Sequence, residues 1–392
     1  MTRRFAEPHP ERSEGSRWTI LKGVKRLVVK VGSGVLARGD LTLHRPTIER
    51  LSNELSNLRA KGLEVVLVSS GAILAGMGKL ELRERPRSIP LKQAAAAVGQ
   101  SQLMQAYEEA FGTFGQKVAQ VLLTQEDFHH RTRYLNARST LFMLLTLHVI
   151  PIVNENDTVV VEENKFGDND ILSALVAGHV DADLLIILTD MDGLFTSDPR
   201  KDPSARLIPV IHPRHATVSF WAGEPASPVS VGGMSSKVKA ARKAAASGIP
   251  TIVASGFKES ILTRILVGEE IGTLFYPEAS RMGGRKRWLA FASRPKGQII
   301  VDEGAKAALV HHGKSLLPSG VVAALKSFEK GCVVSLMGED GVEFARGPPK
   351  YSSQEVEQPK GLKSFEIEAA LGHKPYDEVV HRDNLVIVRR EG

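Results

Sequence analysis

"KRLVVKVGSGVL", Lys25 to Leu36, decides how the rest of the chain is read. An apolar, β-branched run broken only by Lys30 ends in the turn Gly32-Ser33-Gly34. Such a run, without polar alternation, suits a central parallel strand covered on both faces. After it, Pro46 begins a stretch with Ile48, Leu51, Leu55 and Leu58 at helical spacing. "GLEVVLVSSGAILAGM", Gly62 to Met77, repeats strand, small-residue turn and helix. "KVAQVLLTQEDF", "HVIPIVNEND", "ADLLIILTDMDGLF" and "SGIPTIVASG" are further short strand candidates, with helical segments between most of them. The alternation predicts an α/β sandwich. Ligands of such sheets gather at the carboxyl ends of the strands, and the polar clusters "GSG", "SSGA", "NEND" and "TDMDG" follow those ends.

The chain has 392 residues, enough for two domains and a sizeable core. No apolar run approaches the roughly 20 residues that span a bilayer. The N-terminus, "MTRRFAEPHPERSEGSRW", lacks an apolar h-region and reads as a disordered extension over 1–24 rather than a secretory signal. The single Cys332 excludes an internal disulfide, fits a reducing compartment and is expected to be a buried structural thiol. The net charge of +7 is unevenly spread. Residues 1–26 carry 7 Lys/Arg against 3 Asp/Glu, residues 27–280 carry 26 against 27, and residues 281–392 carry 18 against 14. The central body is neutral, so global basicity says little about its role. Near "EASRMGGRKRW", Glu278 to Trp288, the texture changes to short strands and turns, with a hairpin expected at Asp340-Gly341 and one helix around "GAKAALVHHG".

Four turns carry chemistry. In "VKVGSG", glycines let backbone N–H groups approach an anion, and Lys30 supplies a cation; a tight turn with an exposed lysine is the bland alternative. In "SSGA", Ser69, Ser70 and Gly71 can donate to a carboxylate or a phosphate. In "NENDTVVVEENKFGDND", Asn156 and Asp157 suit an ammonium group, Asn169 offers donor and acceptor, and Asp168 and Asp170 suit cations; Asp168 or Asn169 also suits a helix cap. In "VGGMSSKVKAARKAAASG", Gly232 and Gly233 lead into a helix from about Ser235. Lys237 falls in its first turn, where a cation opposes the helix dipole and a bound anion relieves the conflict. No Walker loop, G-x-S-x-G elbow or G-x-G-x-x-G is present, and no His/Cys spacing suggests zinc.

Ten motifs in order, "VVKVGSGVL", "VSSGAILAG", "QAAAAVGQSQLMQ", "QVLLTQEDF", "RYLNARSTL", "VIPIVNENDTV", "FGDNDILSALVA", "LLIILTDMDGLFTSDPR", "GGMSSKVKAA" and "IGTLF", resemble the amino-acid kinases, and among them the bacterial two-domain glutamate 5-kinase family. The tail "RKRWLAF…GQIIVDEGAKAAL…SLLPSGV…GCVVSL…ARG" resembles the PUA domain appended to those kinases. The resemblance implies a three-layer αβα kinase domain with a mainly parallel sheet over 25–280, and a small PUA-like β-barrel over 285–392. It implies ATP-dependent phosphorylation of the γ-carboxylate of L-glutamate, with Mg²⁺, as the first step of proline synthesis. By position, Lys30, Lys237 and Asp170 would be catalytic, Asp170 holding the two lysines. Ser70, Asp157 and Asn169 would bind glutamate. Lys30, Thr189, Asp190 and the run Val231, Gly232, Gly233, Met234, Ser235, Ser236 and Lys237 would bind ATP; no metal ligand is assigned. Val231 and Ser236 stand where related kinases often have Thr, and the first departure loses a hydroxyl. The resemblance further implies feedback by L-proline, a homo-oligomer (dimer or tetramer), a cytoplasmic location without membrane, and RNA as a ligand of the PUA-like part. Two rivals are an RNA-binding protein with a relic kinase body and a kinase of another acidic acceptor.

The chemistry is consistent with that role. A carboxylate is already ionised at neutral pH, so its attack on a phosphoryl group needs no general base. Two anions must meet, and lysines, backbone N–H groups and Mg²⁺ on the phosphates offset their repulsion.

Overall fold

The computed structural model describes residue 17 and residues 19–37, 42–159, 169–213, 233–277, 289–290, 293–363, 366–372 and 376–388. The chain divides into two compact units, Met1–Asp127 with Thr132–Arg281, and Phe128–Arg131 with Met282–Gly392.

The first unit is built on strands β1 (Arg26–Val31), β2 (Glu64–Ser69), β3 (Lys117–Leu123), β4 (Val149–Glu155), β5 (Leu184–Thr189), β6 (Val210–Ile211), β7 (Thr251–Ser255) and β8 (Thr273–Phe275). They form one sheet in the order β3-β4-β2-β1-β5-β7-β8-β6. Every pairing is parallel except β7 with β8. The expected mainly parallel sheet is therefore present. The order also places β1 centrally, with β2 on one side and β5 on the other, a switch point of the kind that opens a crevice at the strand ends.

The helices that matter are α1 (Arg45–Ala60), α2 (Ala72–Lys79), α3 (Ile89–Gly112), α4 (Arg131–Thr146), α5 (Asn169–His179) and α6 (Met234–Ala246). Alternation along β1 sorts its side chains between the two layers. Leu27, Val29 and Val31 join a core with Ile48, Leu51 and Leu55 of α1 and Leu103, Tyr107 and Phe111 of α3. Val28 and Lys30 turn to the opposite face, against which α5 packs. A lysine in an apolar strand thus emerges among helix residues rather than in water.

Helices α2 and α3 touch through glycine. A Cβ on Gly99 would stand 1.8 Å from the Ala72 carbonyl oxygen, and one on Gly76 would stand 1.8 Å from the Ala95 carbonyl oxygen. This contact brings the middle of α3 against the turn that follows β2. The polar N-terminal span requires a correction at its inner end. Residues 19–21 are helical, Leu21 is 4% exposed within the core, and the buried Arg17 guanidinium donates to the Ile271 carbonyl.

In the second unit, β9 (Gly297–Val301), β10 (Val321–Leu325), β11 (Val334–Met337), β12 (Glu343–Gly347) and β13 (Val386–Ile387) form a sheet in the order β10-β9-β11-β12-β13. Only β9 with β11 is parallel among its pairings. The expected hairpin joins β11 to β12, with Gly341 at a φ of 71° that glycine adopts without strain. Helix α7 (Glu303–His312) starts at Asp302, whose carboxylate accepts from the Ala305 N–H. Ile299, Val301, Leu309, Val334, Leu336 and Phe344 form a separate core. Cys332 is half-buried, less sheltered than its lone occurrence suggested. Among the described residues no helix is long and apolar enough to cross a membrane.

Candidate functional site

The first cluster is ionic. Lys30 Nζ lies 2.5 Å from Asp170 Oδ1, and Lys237 Nζ lies 3.1 Å from Asp170 Oδ2. Ser236 Oγ donates to Asp170 Oδ2 at 2.8 Å. Asp170 is fully buried, and Lys30 and Lys237 are 1% and 5% exposed. One carboxylate between two ammonium groups leaves one unit of positive charge in a place poor in water, where electrostatic forces act strongly. The conflict read at the first turn of α6 is met from within the chain: Asp170 faces Lys237 across to α5. Because Asp170 is committed to two ammonium groups, it is not a spare metal ligand. Among the described residues no group of three His, Cys, Asp or Glu side chains is placed to hold a metal ion.

Glycines bring backbone close to this charge. The Gly32 N–H donates to the Leu188 carbonyl at 3.1 Å. A Cβ there would lie 3.3 Å from that oxygen and 3.5 Å from Lys30 Nζ. A Cβ on Gly34 would lie 3.4 Å from Asp190 Oδ2, so the carboxylate that follows β5 rests on the turn that follows β1. Thr189 Oγ1 donates to Asp190 Oδ1 at 2.9 Å. Gly233 caps α6, Met234 and Ser235 open it, and the Gly233 carbonyl, 3.0 Å from Ser236 Oγ, is the alternative acceptor for the single hydroxyl proton. Val231, Gly232 and Asp168 lie outside the described residues.

The second cluster is made of amides. Asn169 Nδ2 reaches Asn154 Oδ1 at 2.8 Å, Ser70 Oγ at 3.0 Å and the Ser69 carbonyl at 3.3 Å. Asn154 Oδ1 also accepts from the Glu155 N–H at 2.9 Å, and Asn154 Nδ2 donates to Gln100 Oε1 at 2.8 Å. Ser69 Oγ donates to the Ser70 carbonyl and lies 2.9 Å from the Tyr107 hydroxyl. Burial pushes the Tyr107 phenol well up, so it stays neutral. Gly71, at a φ of 109°, turns the chain from β2 into α2. Asp157 is half-buried in the turn after β4, which the Val159 N–H closes onto the Asn156 carbonyl.

The residues singled out in sequence thus fall into contacting sets. Lys30, Asp170, Ser236 and Lys237 form one; Ser70 and Asn169 belong to the second; Thr189 and Asp190 lie beside the first turn. Sequence reading missed Asn154 and Gln100. Both stood inside quoted motifs, "VIPIVNENDTV" and "QAAAAVGQSQLMQ", but Gln100 sits on an Ala-rich helix and nothing local to it points to a site.

The matching family models and sequence relatives agree with this architecture. Residues 25–255 match the model of the amino acid kinase family, and residues 297–371 match the PUA domain. A glutamate 5-kinase of Geobacter sulfurreducens is 52% identical over 369 residues, covering 94% of this chain and 99% of its own. A glutamate 5-kinase of Moorella thermoacetica is 50% identical over 368 residues, covering 94% and 97%. A solved carbamate kinase from Giardia lamblia bound to AMP-PNP is 19% identical, with a TM-score of 0.48, covering 65% of this chain and 99% of its own.

Proposed function

Since the chain belongs to the amino acid kinase family, we propose that it transfers the γ-phosphoryl group of MgATP to the γ-carboxylate of L-glutamate. The observation that carries the reading is the sharing of buried Asp170 between Lys30 and Lys237, which fixes two cations at the end of the central strand. A γ-carboxylate oxygen bonds to phosphorus as the bond to the ADP oxygen breaks, giving L-glutamyl 5-phosphate and ADP. No proton moves, which accounts for lysine and glycine where other enzymes need histidine. Lys30 and Lys237 offset the meeting of two anions and favour the charge that spreads over the phosphoryl oxygens. The metal arrives on the nucleotide, whose phosphates are its natural oxygen ligands.

In this reading Ser70, Asp157 and Asn169 hold glutamate. The nucleotide lies along Thr189, Asp190 and the segment 231–237. The kinase body spans 25–280 and the PUA-like part 285–392. The reaction opens proline synthesis in the cytoplasm, and L-proline is the expected feedback inhibitor. Exposed Leu135 and Met143 on α4, 48% and 58% accessible, support self-association into a dimer or tetramer. The match to the PUA domain and the excess of basic residues after residue 280 support RNA as a second ligand.

Trapping the acyl phosphate with hydroxylamine tests the reaction. Hydroxamate should form with glutamate, require MgATP, and fail to form with aspartate or N-acetylglutamate. Product from aspartate alone would reassign the acceptor, and absence of any ATP turnover would leave RNA binding as the main role.

A further inference from the structure

Two buried polar atoms of the amide cluster have no hydrogen-bond partner among the described residues: Asn169 Oδ1 and Gln100 Nε2. Their chemical identity is set by the backbone. The Ser69 carbonyl can only accept, so the Asn169 atom beside it is the amide nitrogen, which leaves Oδ1 as the remaining acceptor. The Glu155 N–H can only donate, so the Asn154 atom facing it is oxygen, and Asn154 Nδ2 points to Gln100. Gln100 must therefore turn its oxygen to Asn154 and present its NH₂ elsewhere. The amide chain Gln100–Asn154–Asn169 is polarised, with one unused acceptor on Asn169 at one end and one unused donor on Gln100 at the other. Leaving either buried without a partner costs about 1–3 kcal/mol, so a ligand that satisfies both is favoured.

Resting on the glutamate-kinase reading, we propose that Gln100 is a substrate-binding residue whose Nε2–H donates to the α-carboxylate of glutamate. An α-amino acid brings the complementary pair, an ammonium donor and a carboxylate acceptor, on one carbon. The reacting γ-carboxylate belongs near Lys30 on β1. Asn154 stands on β4, two strands away, which is about 10 Å at the usual spacing. Gln100 therefore meets the end of glutamate remote from the transferred phosphoryl group. The close contact of Gly99 with Ala72 holds Gln100 at that depth on α3.

Two substitutions separate contact from mere support. Gln100→Leu removes both amide functions. Gln100→Glu keeps an oxygen for Asn154 Nδ2 and nearly the same shape, but replaces the donor with a negative charge. Steady-state kinetics with glutamate and MgATP varied separately should show glutamate KM raised about ten- to hundredfold by Gln100→Leu, the range of a hydrogen bond to a charged group. Gln100→Glu should be at least as severe, while kcat and the MgATP KM stay within about threefold. On 4-aminobutanoate, which keeps the amine and the reacting carboxylate but lacks the α-carboxylate, kcat/KM should be similar in both variants and the wild-type protein. Near-normal glutamate KM in Gln100→Glu, or an equal penalty on both substrates, would overturn the proposal and leave Gln100 as a support for Asn154. Wild-type protein that fails to phosphorylate glutamate at all would instead overturn the reading on which the proposal rests.

Discussion

Lys30 Nζ and Asp170 Oδ1 lie 2.5 Å apart with both side chains almost wholly withdrawn from solvent. The pair ties the end of β1 to the first turn of α5, and Lys237 closes the arrangement from α6. Withdrawing such charges from water is costly, and their mutual attraction offsets the cost only while all three are present. Asp170→Asn should therefore lower unfolding free energy by about 3–5 kcal/mol, the usual effect of stranding a buried charge. Urea denaturation checks this, and inorganic phosphate should restore more stability to the variant than to the wild-type protein. Equal stability would mean that the lysines find another anion.

The lysines and Asp157 should fail in different ways. The ammonium group of glutamate keeps its charge through the reaction, so Asp157→Asn should mainly raise glutamate KM. The phosphoryl oxygens redistribute charge, so Lys30→Met and Lys237→Met should each lower kcat by on the order of 10²–10³. Separate variation of glutamate and MgATP distinguishes these patterns. Normal kcat in the Lys237 variant would remove it from the chemistry.

The α2–α3 contact has no room for a methyl group. Gly99→Ala places a Cβ 1.8 Å from the Ala72 carbonyl oxygen, whereas a Cβ on Gly112 meets nothing within 4 Å. Gly99→Ala should give insoluble or strongly destabilised protein. Gly112→Ala, at the exposed end of α3, should raise stability by about 0.4–1 kcal/mol. Thermal melts of the two variants form the comparison, and a Gly99→Ala protein melting like the wild type would contradict the close approach.

Glu54 predicts a pH dependence. Desolvation holds its carboxyl above the ordinary 4.5, against lesser opposing effects from the Leu262 N–H and Arg50. The folded state then binds more protons than the unfolded state between 4.5 and the raised value, so stability falls as pH rises through that window. Glu54→Gln should abolish this component. The melting temperature of the variant, relative to the wild type, should rise between pH 4 and pH 7; a constant difference would show that Glu54 titrates normally.

Local sequence determined much of this protein. The unbroken apolar runs specified buried parallel strands because both faces of such strands avoid water. Pro46, the helical spacing after it and the glycines after β1 and β2 specified where strands turn into helices. Lys30 at a strand end and Lys237 in a first helical turn were legible as anomalies, each a charge where charge is disfavoured. Leu21 was grouped with the charged residues that precede it, although Ile20 and Val24 beside it also pack against the core. What only the tertiary structure decided is how distant groups meet. Strand order sets β1 between β2 and β5, and Asp170 reaches Lys30 and Lys237 from a helix far away in sequence. The amide chain is the clearest case. Gln100 meets Asn154 across 54 residues, and two backbone groups, the Ser69 carbonyl and the Glu155 N–H, decide which end of each amide is left over. Hydrophobic period is a local property of the chain, whereas hydrogen-bond direction depends on which donors and acceptors folding brings within about 3 Å.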